Sequence, residues 1–197
     1  MAEAGTARAA LAAWDPLEGV ALEGADVRVV GLGPRSIVSI AFGHDDAGAR
    51  EAVERGLGVR LPAIGGSASS AFGGGSTLLG LQRDQWFALM TAADGSASSP
   101  ADAVREAVGD AAAVTDQGDA WALLALEGPR AVAALERTCR LDLHPDAFPV
   151  GRVARTSMEH LATVILREAP ERFVLLSPRS SAGSFAHAMA TSVRNVS

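Results

Sequence analysis

Short β-rich runs joined by turns of two or three residues constrain the fold of this chain most strongly. The runs TLLGL (residues 77–81) and QWFALM (85–90) are separated only by Gln82-Arg83-Asp84. A connection of this length joins strands as an antiparallel hairpin, because a parallel pair needs a much longer crossover. Residues 152–180, RVARTSMEHLATVILREAPERFVLLSPRS, have the same character and predict three strands with tight connections.

Four helical segments alternate with these strands. DDAGAREAVERGLG (45–58) begins with two acidic residues suited to an N-cap, and SSPADAVREAVGD (98–110) has a serine cap and a proline in its first turn. GPRAVAALERTC (128–139) and SAGSFAHAMATSVRNV (181–196) predict two more helices. Helices alternating with hairpins favour an α+β fold, with mixed or antiparallel sheets and packed helices, over a doubly wound parallel sheet.

The two halves of the sequence resemble each other, since each has strands, a helix, a hairpin and a second helix. The length of 197 residues suffices for one domain or for two small subdomains. We therefore predict a single α+β domain over residues 26–197 that is pseudo-duplicated, with possible subdomains 26–115 and 116–197.

Two segments have little apolar patterning. Residues 1–25 are rich in alanine and are predicted to form a flexible N-terminal arm, with at most a short helix near 8–13. This arm is either a frayed tail or a segment that orders on a partner. Residues 61–76, LPAIGGSASSAFGGGS, predict a long Gly/Ser loop, which is uncommon in a compact domain unless a partner or ligand covers it.

Charge and composition exclude several classes of function. The chain has 23 acidic residues against 17 basic ones, all arginine, so a nucleic-acid backbone would meet mostly repulsion. The absence of lysine excludes Schiff-base chemistry on this chain. One cysteine cannot form an internal disulfide, and we find neither a signal peptide nor an apolar run of about 20 residues. These features predict a cytoplasmic protein without a membrane segment.

The stretch VRVVGLGPRSI (27–37) begins like a dinucleotide-binding turn. That fingerprint requires a third glycine and then a helix whose N-terminal amides face the pyrophosphate. Here Ser36 stands at the third position and a β-rich run follows it. The glycine pair therefore predicts a turn between two strands. GGGS (73–76) lacks the lysine of a P-loop and also leads into a strand, so it predicts a flexible loop.

No residue pattern indicates catalysis or metal binding. The four histidines have no ligand-like spacing to one another or to Cys139, and no serine lies in a nucleophile elbow. Cys139 is interpreted as a small buried residue rather than a nucleophile. We expect no catalytic, cofactor-binding or metal-binding residue on this chain, so whether it is itself an enzyme stays open. A binding or structural subunit is the favoured class.

Two segments in order resemble gamma subunits of heterotetrameric sarcosine oxidases. The first is LLGLQRDQWFALM (78–90), and the second runs from ALEGPRAV to SPRSSAGSF (125–185). The resemblance covers roughly residues 76–190. The second segment presents the following landmarks in one order: Gly128-Pro129, Cys139, Asp142-Leu143, Phe148, Gly151, Arg155-Thr156, Phe173 and Arg179-Ser180.

The resemblance implies a non-catalytic role in a complex with alpha, beta and delta subunits. Such a complex demethylates sarcosine oxidatively to glycine and passes the one-carbon unit to tetrahydrofolate. FAD, FMN, NAD and tetrahydrofolate are expected in the partner subunits, with zinc in the delta subunit. The implied fold resembles the folate-binding domain of aminomethyltransferases, without a folate site. Alternatives are a subunit of a related N-methylamino-acid dehydrogenase and a stand-alone folate-dependent one-carbon protein.

Three residues are candidates for a structural or interface role. Trp86 precedes Phe87 on a predicted strand, and alternation directs the two rings to opposite faces, so that one of them is expected in the core and the other can belong to an interface. Arg155 and Arg179 lie near strand ends, where a guanidinium can bind backbone carbonyls or a partner's carboxylate. The partner is expected to cover residues 65–76 or the N-terminal arm.

Overall fold

The structure is a computed structural model that describes residues 16–17, 19–33, 35–43, 47–90 and 99–196. The predicted helix near residues 8–13 and the acidic cap at Asp45-Asp46 lie outside the described residues, as does most of the predicted arm. In chain order the described elements are β1 (Ala21–Glu23), β2 (Arg28–Gly31), β3 (Ser36–Ala41), α1 (Ala47–Leu57), β4 (Ser67–Ser70), β5 (Ser76–Gln82), β6 (Gln85–Met90), α2 (Pro100–Val108), β7 (Ala113–Asp116), β8 (Trp121–Glu127), α3 (Ala131–Leu135), β9 (Val153–Met158), β10 (Leu161–Ala169), β11 (Arg172–Pro178) and α4 (Ala182–Arg194).

The strands described form two sheets with corresponding strand orders. One sheet has the order β1-β2-β8-β11-β10-β9, and the other has β7-β3-β6-β5-β4. Removing the edge strand β1 leaves five positions that match one to one. The hairpins β5–β6 and β10–β11 are antiparallel, as their short turns predict. The α+β fold with antiparallel sheets and packed helices is thereby confirmed.

The matching orders reveal a sequence repeat with an exchanged strand. The run β2-β3-α1-β4-β5-β6-α2 has the same element order as β7-β8-α3-β9-β10-β11-α4. The first strand of each run pairs with the second strand of the other run, because β2 pairs with β8 and β7 pairs with β3. Each sheet therefore combines strands from both sequence copies.

The chain accordingly divides into two discontinuous compact units. The six-stranded unit comprises Met1–Pro34, Asp119–Val150 and Thr156–Ser197, and the five-stranded unit comprises Arg35–Gly118 and Gly151–Arg155. Neither unit is a continuous segment such as the predicted subdomains 26–115 and 116–197, because the first strand of each copy leaves for the other sheet.

Helices α1 and α2 cover one face of the five-stranded sheet. Val53 and Leu57 of α1 and Val104 and Val108 of α2 pack against apolar side chains of β3, β5 and β6. Helix α2 begins as the sequence predicts, since the hydroxyl of Ser99 accepts a hydrogen bond from a first-turn backbone N–H at 3.1 Å.

The six-stranded unit packs helix α4 against α3 and the strands β1, β2 and β11. Phe185, Met189 and Val193 lie one helical turn apart along α4 and are all buried. Leu17, within the predicted N-terminal arm, is buried as well. The last ten residues of that arm thus contain both a buried side chain and strand β1. The prediction of an irregular arm up to residue 25 therefore extends too far along the chain.

Two further predictions need correction. The predicted Gly/Ser loop contains β4, which pairs along its whole length with β5, and the hydroxyl of Ser70 donates to the carbonyl of Leu57 at 2.7 Å. Small side chains give β4 a weak intrinsic strand preference, and pairing with β5 overrides it. The third helix ends at Leu135 rather than near Cys139, because Cys139 forms an isolated β-bridge to Met158.

Candidate functional site

The predicted site residue Trp86 lies on β6, and Arg155 lies on β9, in the segment Gly151–Arg155 that groups with the five-stranded unit although β9 itself pairs in the six-stranded sheet. Trp86 and its neighbour Phe87 are 2% and 3% exposed, so both faces of β6 are buried at this point. Alternation along the strand directs the two rings to opposite faces of the sheet, as predicted. The sequence indicated one core aromatic residue, and the structure buries both.

The indole of Trp86 is fixed by three contacts. Its Nε1–H donates a hydrogen bond to the carbonyl of Pro62 at 2.9 Å. The ring of Phe42 packs against it with a centroid distance of 5.1 Å. The guanidinium of Arg50 lies 5.0 Å from the indole centroid, a cation–π distance. Trp86 therefore connects β6 to the loop that precedes β4.

The guanidinium of Arg155 lies over the ring of Phe87, which faces away from Trp86. Its guanidinium carbon is 5.6 Å from the Phe87 centroid, and one N–H donates to Oε1 of Gln85 at 3.2 Å. The Gln85 amide in turn donates to the hydroxyl of Ser39 at 3.0 Å. Partial burial lowers the pKa of the Arg155 guanidinium, because the ring takes the place of water around it.

Arg179 belongs to the six-stranded unit and has a different environment. It begins a short 3₁₀ turn, Arg179–Ser181, that leads from β11 into α4. Its backbone N–H donates to the carbonyl of Ala120 at 2.9 Å, which fixes this turn beside the start of β8. The position near a strand end agrees with the sequence prediction.

A third arginine, Arg167, was missed by sequence reasoning. It is only 4% exposed, and its guanidinium lies 5.2 Å from the Phe173 centroid. The two terminal nitrogens donate to three backbone carbonyls, those of Leu143 at 3.3 Å, Phe148 at 2.9 Å and Pro170 at 2.7 Å. Among the described residues no carboxylate pairs with it. The available signal was an arginine inside the apolar strand sequence LATVILREA.

Cys139 is buried, as the sequence predicts. Burial raises the pKa of its thiol, and smaller opposing contributions come from hydrogen bonds with the Leu141 backbone and the Thr156 side chain. A polar cleft of about 340 Å³ lies beside it. The described residues contain no group of three or more His, Cys, Asp or Glu side chains placed to hold a metal ion.

The glycine-rich stretches do not fit a dinucleotide or phosphate cradle. Gly33 has a φ of +69° in the connection from β2, and that connection leads into strand β3. The glycine pair lies between two strands, as predicted, and strand β3 follows it where a dinucleotide site needs a helix N-terminus to face the pyrophosphate. Residues Phe72–Gly74 form a 3₁₀ turn that leads into β5, again a strand.

Within the described part of the chain, none of the helices is both long and apolar enough to cross a membrane.

Comparison with known proteins decides the family. The family model for the sarcosine oxidase gamma subunit matches residues 43–192, about three quarters of the chain. The chain belongs to the sarcosine oxidase gamma subunit family. The match includes both segments on which the sequence resemblance rested, and it extends upstream of them to residue 43.

Individual members of the gamma subunit family share about three residues in ten with the chain. The gamma subunit of Corynebacterium sp. strain U-96 is 31% identical over 131 residues, which cover 66% of this chain and 61% of that protein. The gamma subunit of an Arthrobacter species is 29% identical over 125 residues, covering 64% and 60%. The alignments thus span about 60% of the length of these relatives.

Solved structures confirm the fold. A chain of the heterotetrameric sarcosine oxidase from Corynebacterium sp. U-96 superimposes with a TM-score of 0.76 at 24% identity, covering 95% of this chain and 93% of that one. The aminomethyltransferase T of the glycine cleavage system from Bartonella henselae superimposes with a TM-score of 0.65 at 18% identity, covering 84% and 45%. The fold expected from the resemblance, that of an aminomethyltransferase domain, is the fold observed.

Proposed function

We propose that this chain is a non-catalytic gamma subunit of a heterotetrameric sarcosine oxidase and acts only within that complex. The match to the gamma subunit family over residues 43–192 carries the proposal. The fold shared with a chain of the Corynebacterium enzyme supports it. In this proposal the alpha, beta and delta subunits are the partners, and the substrate is oxidised on them.

The chemistry that we assign to the partners is oxidative demethylation of sarcosine to glycine, with transfer of the one-carbon unit to tetrahydrofolate. FAD, FMN, NAD and tetrahydrofolate are proposed to bind the partner subunits. This chain contributes a rigid scaffold. Its most constrained polar side chains bind its own backbone, as Trp86 binds Pro62 and Arg167 binds the carbonyls of Leu143 and Phe148.

Assembly is the property to test first. Co-expression with the alpha, beta and delta chains should yield one complex in size-exclusion chromatography, with an interface on this chain of the obligate class, on the order of 2,000 Å² or more. Peroxide production from sarcosine should then follow the complex fraction. A chain that elutes as a monomer apart from the other three would overturn the proposal.

Ligand binding separates this role from that of a stand-alone folate protein. Calorimetric titration of the isolated chain with FAD, NAD and tetrahydrofolate should show no micromolar binding. Binding of tetrahydrofolate at that level would favour the independent one-carbon protein instead. Assays of the assembled complex with other N-methylamino acids, with oxygen or an artificial electron acceptor, distinguish an oxidase for sarcosine from a related dehydrogenase.

Arg155 and Arg179 are proposed to contribute to the interface or to the stability of the subunit. An interface role for Arg155 is supported by two observations. Its guanidinium reaches solvent above Phe87, and it donates a hydrogen bond to the neutral amide of Gln85. Arg179→Ala should lower thermal stability or the yield of complex. Unchanged values of both would remove Arg179 from this set.

A further inference from the structure

Among the described residues of the five-stranded unit, one large hydrophobic side chain is exposed to solvent. Ile64 is 60% exposed, whereas the only other exposed large hydrophobic residue among those described, Val150, belongs to the six-stranded unit. Ile64 lies at the second position of a β-turn, Ala63–Gly66, which is closed by a hydrogen bond from the Gly66 N–H to the Ala63 carbonyl at 2.9 Å. We call this segment the Ile64 turn.

The Ile64 turn has a defined backbone conformation. Gly65 has a φ of +79°, which makes this a type II turn, and that conformation favours glycine at the third position. Hydrogen bonds then fix the turn to strand β5 from both sides. The Gly65 N–H donates to the Gly80 carbonyl at 2.8 Å, and the Gly80 N–H donates to the Gly66 carbonyl at 2.9 Å.

The residues that precede the Ile64 turn are fixed as well. The indole of Trp86 binds the carbonyl of Pro62, and the carboxylate of Glu54 accepts the backbone N–H of Leu61 at 2.9 Å. Ile64 is thus presented by backbone that is hydrogen-bonded on both sides. Binding through a rigid segment costs little conformational entropy, which is the property of an effective contact residue.

A cation lies directly beside the turn. The carbonyl of Gly65 accepts the backbone N–H of Val153 at 2.8 Å, which brings the preceding residue, Arg152, alongside. A Cβ atom built on Gly65 would lie 3.0 Å from the guanidinium carbon of Arg152, so the guanidinium covers the glycine. Arg152 is itself exposed. The Ile64 turn therefore presents one exposed apolar side chain beside one exposed positive charge.

We propose that the Ile64 turn is a docking point for a partner subunit, which receives Ile64 in a concave apolar pocket with a carboxylate at its rim. This inference rests on the proposed function, because it assigns a contact to the same complex. An exposed apolar side chain on a hydrogen-bonded turn is best buried in an apolar pocket of the partner, and Arg152 beside the turn selects an acidic rim. Burying Ile64 in such a pocket removes from water the most exposed large hydrophobic side chain among the described residues of the unit.

Competition for assembly tests this docking point. Tagged variants and the untagged natural chain are co-expressed with the alpha, beta and delta chains, and their ratio is measured in the purified complex. Ile64→Asp should be depleted at least tenfold relative to a tagged natural chain, Ile64→Val should remain within about twofold, and Arg152→Glu should be depleted to an intermediate extent. The matched control is Ala113→Asp, which places the same charge at an exposed position of β7, at the opposite edge of the five-stranded sheet from β4, and should be incorporated normally.

The outcomes separate the docking point from the proposed function. A natural chain that never joins the complex overturns the proposed function. A complex that accepts Ile64→Asp as readily as the natural chain, or that rejects Ala113→Asp equally, overturns the docking point alone. An isolated chain that dimerises through Ile64, with the dimer lost in Ile64→Asp, also overturns it in favour of self-association. Thermal melting of each variant, together with the milder Ile64→Ser, establishes that depletion does not reflect unfolding.

Discussion

The hairpins β5–β6 and β10–β11 occupy the same place in the two sequence copies, yet they anchor their neighbouring loops in opposite ways. Each hairpin has an irregularity on its first strand just before the turn, after Gly80 in one and after Arg167 in the other. Both of these residues pair with an aromatic residue on the second strand, Trp86 and Phe173 respectively. Gly80 and Arg167 are therefore equivalent positions.

In the five-stranded unit the loop approaches the hairpin directly. Gly80 has no side chain, and a Cβ atom there would lie 2.3 Å from the Ala63 carbonyl oxygen. The open space allows the loop between α1 and β4 to hydrogen-bond to the β5 backbone, and the indole of Trp86 completes the contact. Glycine is required here because of the close approach, and not because of its backbone angles.

In the six-stranded unit a side chain spans the corresponding gap. The loop between α3 and β9 is longer, and the guanidinium of Arg167 reaches its carbonyls at Leu143 and Phe148 while lying over Phe173. A planar group with five donors satisfies several carbonyls at once. The same position of the repeat is thus occupied by glycine in one copy, Gly80, and by a long cationic side chain in the other, Arg167.

The largest expected effect is that of Arg167→Ala. This change removes the donor of two buried backbone carbonyls and of the part-buried carbonyl of Pro170, and it removes the packing over Phe173, at a cost of about 3–4 kcal/mol in the free energy of unfolding. Urea denaturation measures it, and Arg167→Lys should recover only part of the loss. A cost equal to that of Arg155→Ala would show that the buried arginine does not anchor the loop.

Gly80→Ala should have the next largest effect. The added methyl group meets backbone oxygens and not flexible side chains, so the loop must move, at a cost of about 2 kcal/mol. Gly183→Ala is the matched control, since nothing lies within 4 Å of a Cβ atom there and the residue is within helix α4. That control should be neutral or slightly stabilising. Equal melting temperatures for the two variants would contradict the close approach at Gly80.

Arg155→Ala should have a smaller effect on the isolated chain. Its guanidinium also lies over a phenylalanine ring, but it is partly solvated, so the loss should be about 0.5–1 kcal/mol. Thermal unfolding measures this beside Arg167→Ala, which makes the same substitution at a buried site. A loss as large as that at Arg167 would mean that burial does not distinguish the two arginine–phenylalanine pairs.

The smallest expected effect on the free energy of unfolding at neutral pH is that of Cys139→Ala. The contribution of the Cys139 thiol to stability changes in alkaline solution. Burial raises the pKa of the folded thiol above the unfolded value of roughly 8.5. The stabilising contribution is complete below the unfolded pKa and is lost as the pH rises through the folded pKa. Between pH 7 and pH 10 the natural chain should therefore lose more stability than Cys139→Ala.

Hydrogen exchange shows which of the two corresponding loops is affected by this alkaline loss of stability. The loss should concentrate near Cys139, at the start of the loop after α3, and should spare the Ile64 turn in the other copy. Equal acceleration of exchange in both loops, or a Cys139→Ala variant with the same pH dependence, would contradict the assignment to this thiol.

The sequence by itself determined the local elements. Tight turns predicted the two antiparallel hairpins, and Ser99 with Pro100 predicted the start of α2. Alternation along β6 predicted that Trp86 and Phe87 face opposite sides, and the β-rich run from Ser36 predicted that a strand follows the glycine pair. These features depend on residues that are close in sequence, where conformational preference and spacing decide the outcome.

Only the tertiary structure decided which segments meet. The exchange of β2 and β7 between sheets, and the recruitment of the small residues Ser67–Ser70 into β4, depend on pairing with distant strands. The role of Arg167 depends on a loop about 20 residues away that comes within hydrogen-bond distance. Likewise, the sequence does not distinguish Ile64 from other apolar residues, whereas the hydrogen bonds around its turn leave it exposed. The physical reason is that long-range contacts depend on two distant segments and cannot be inferred from either one alone.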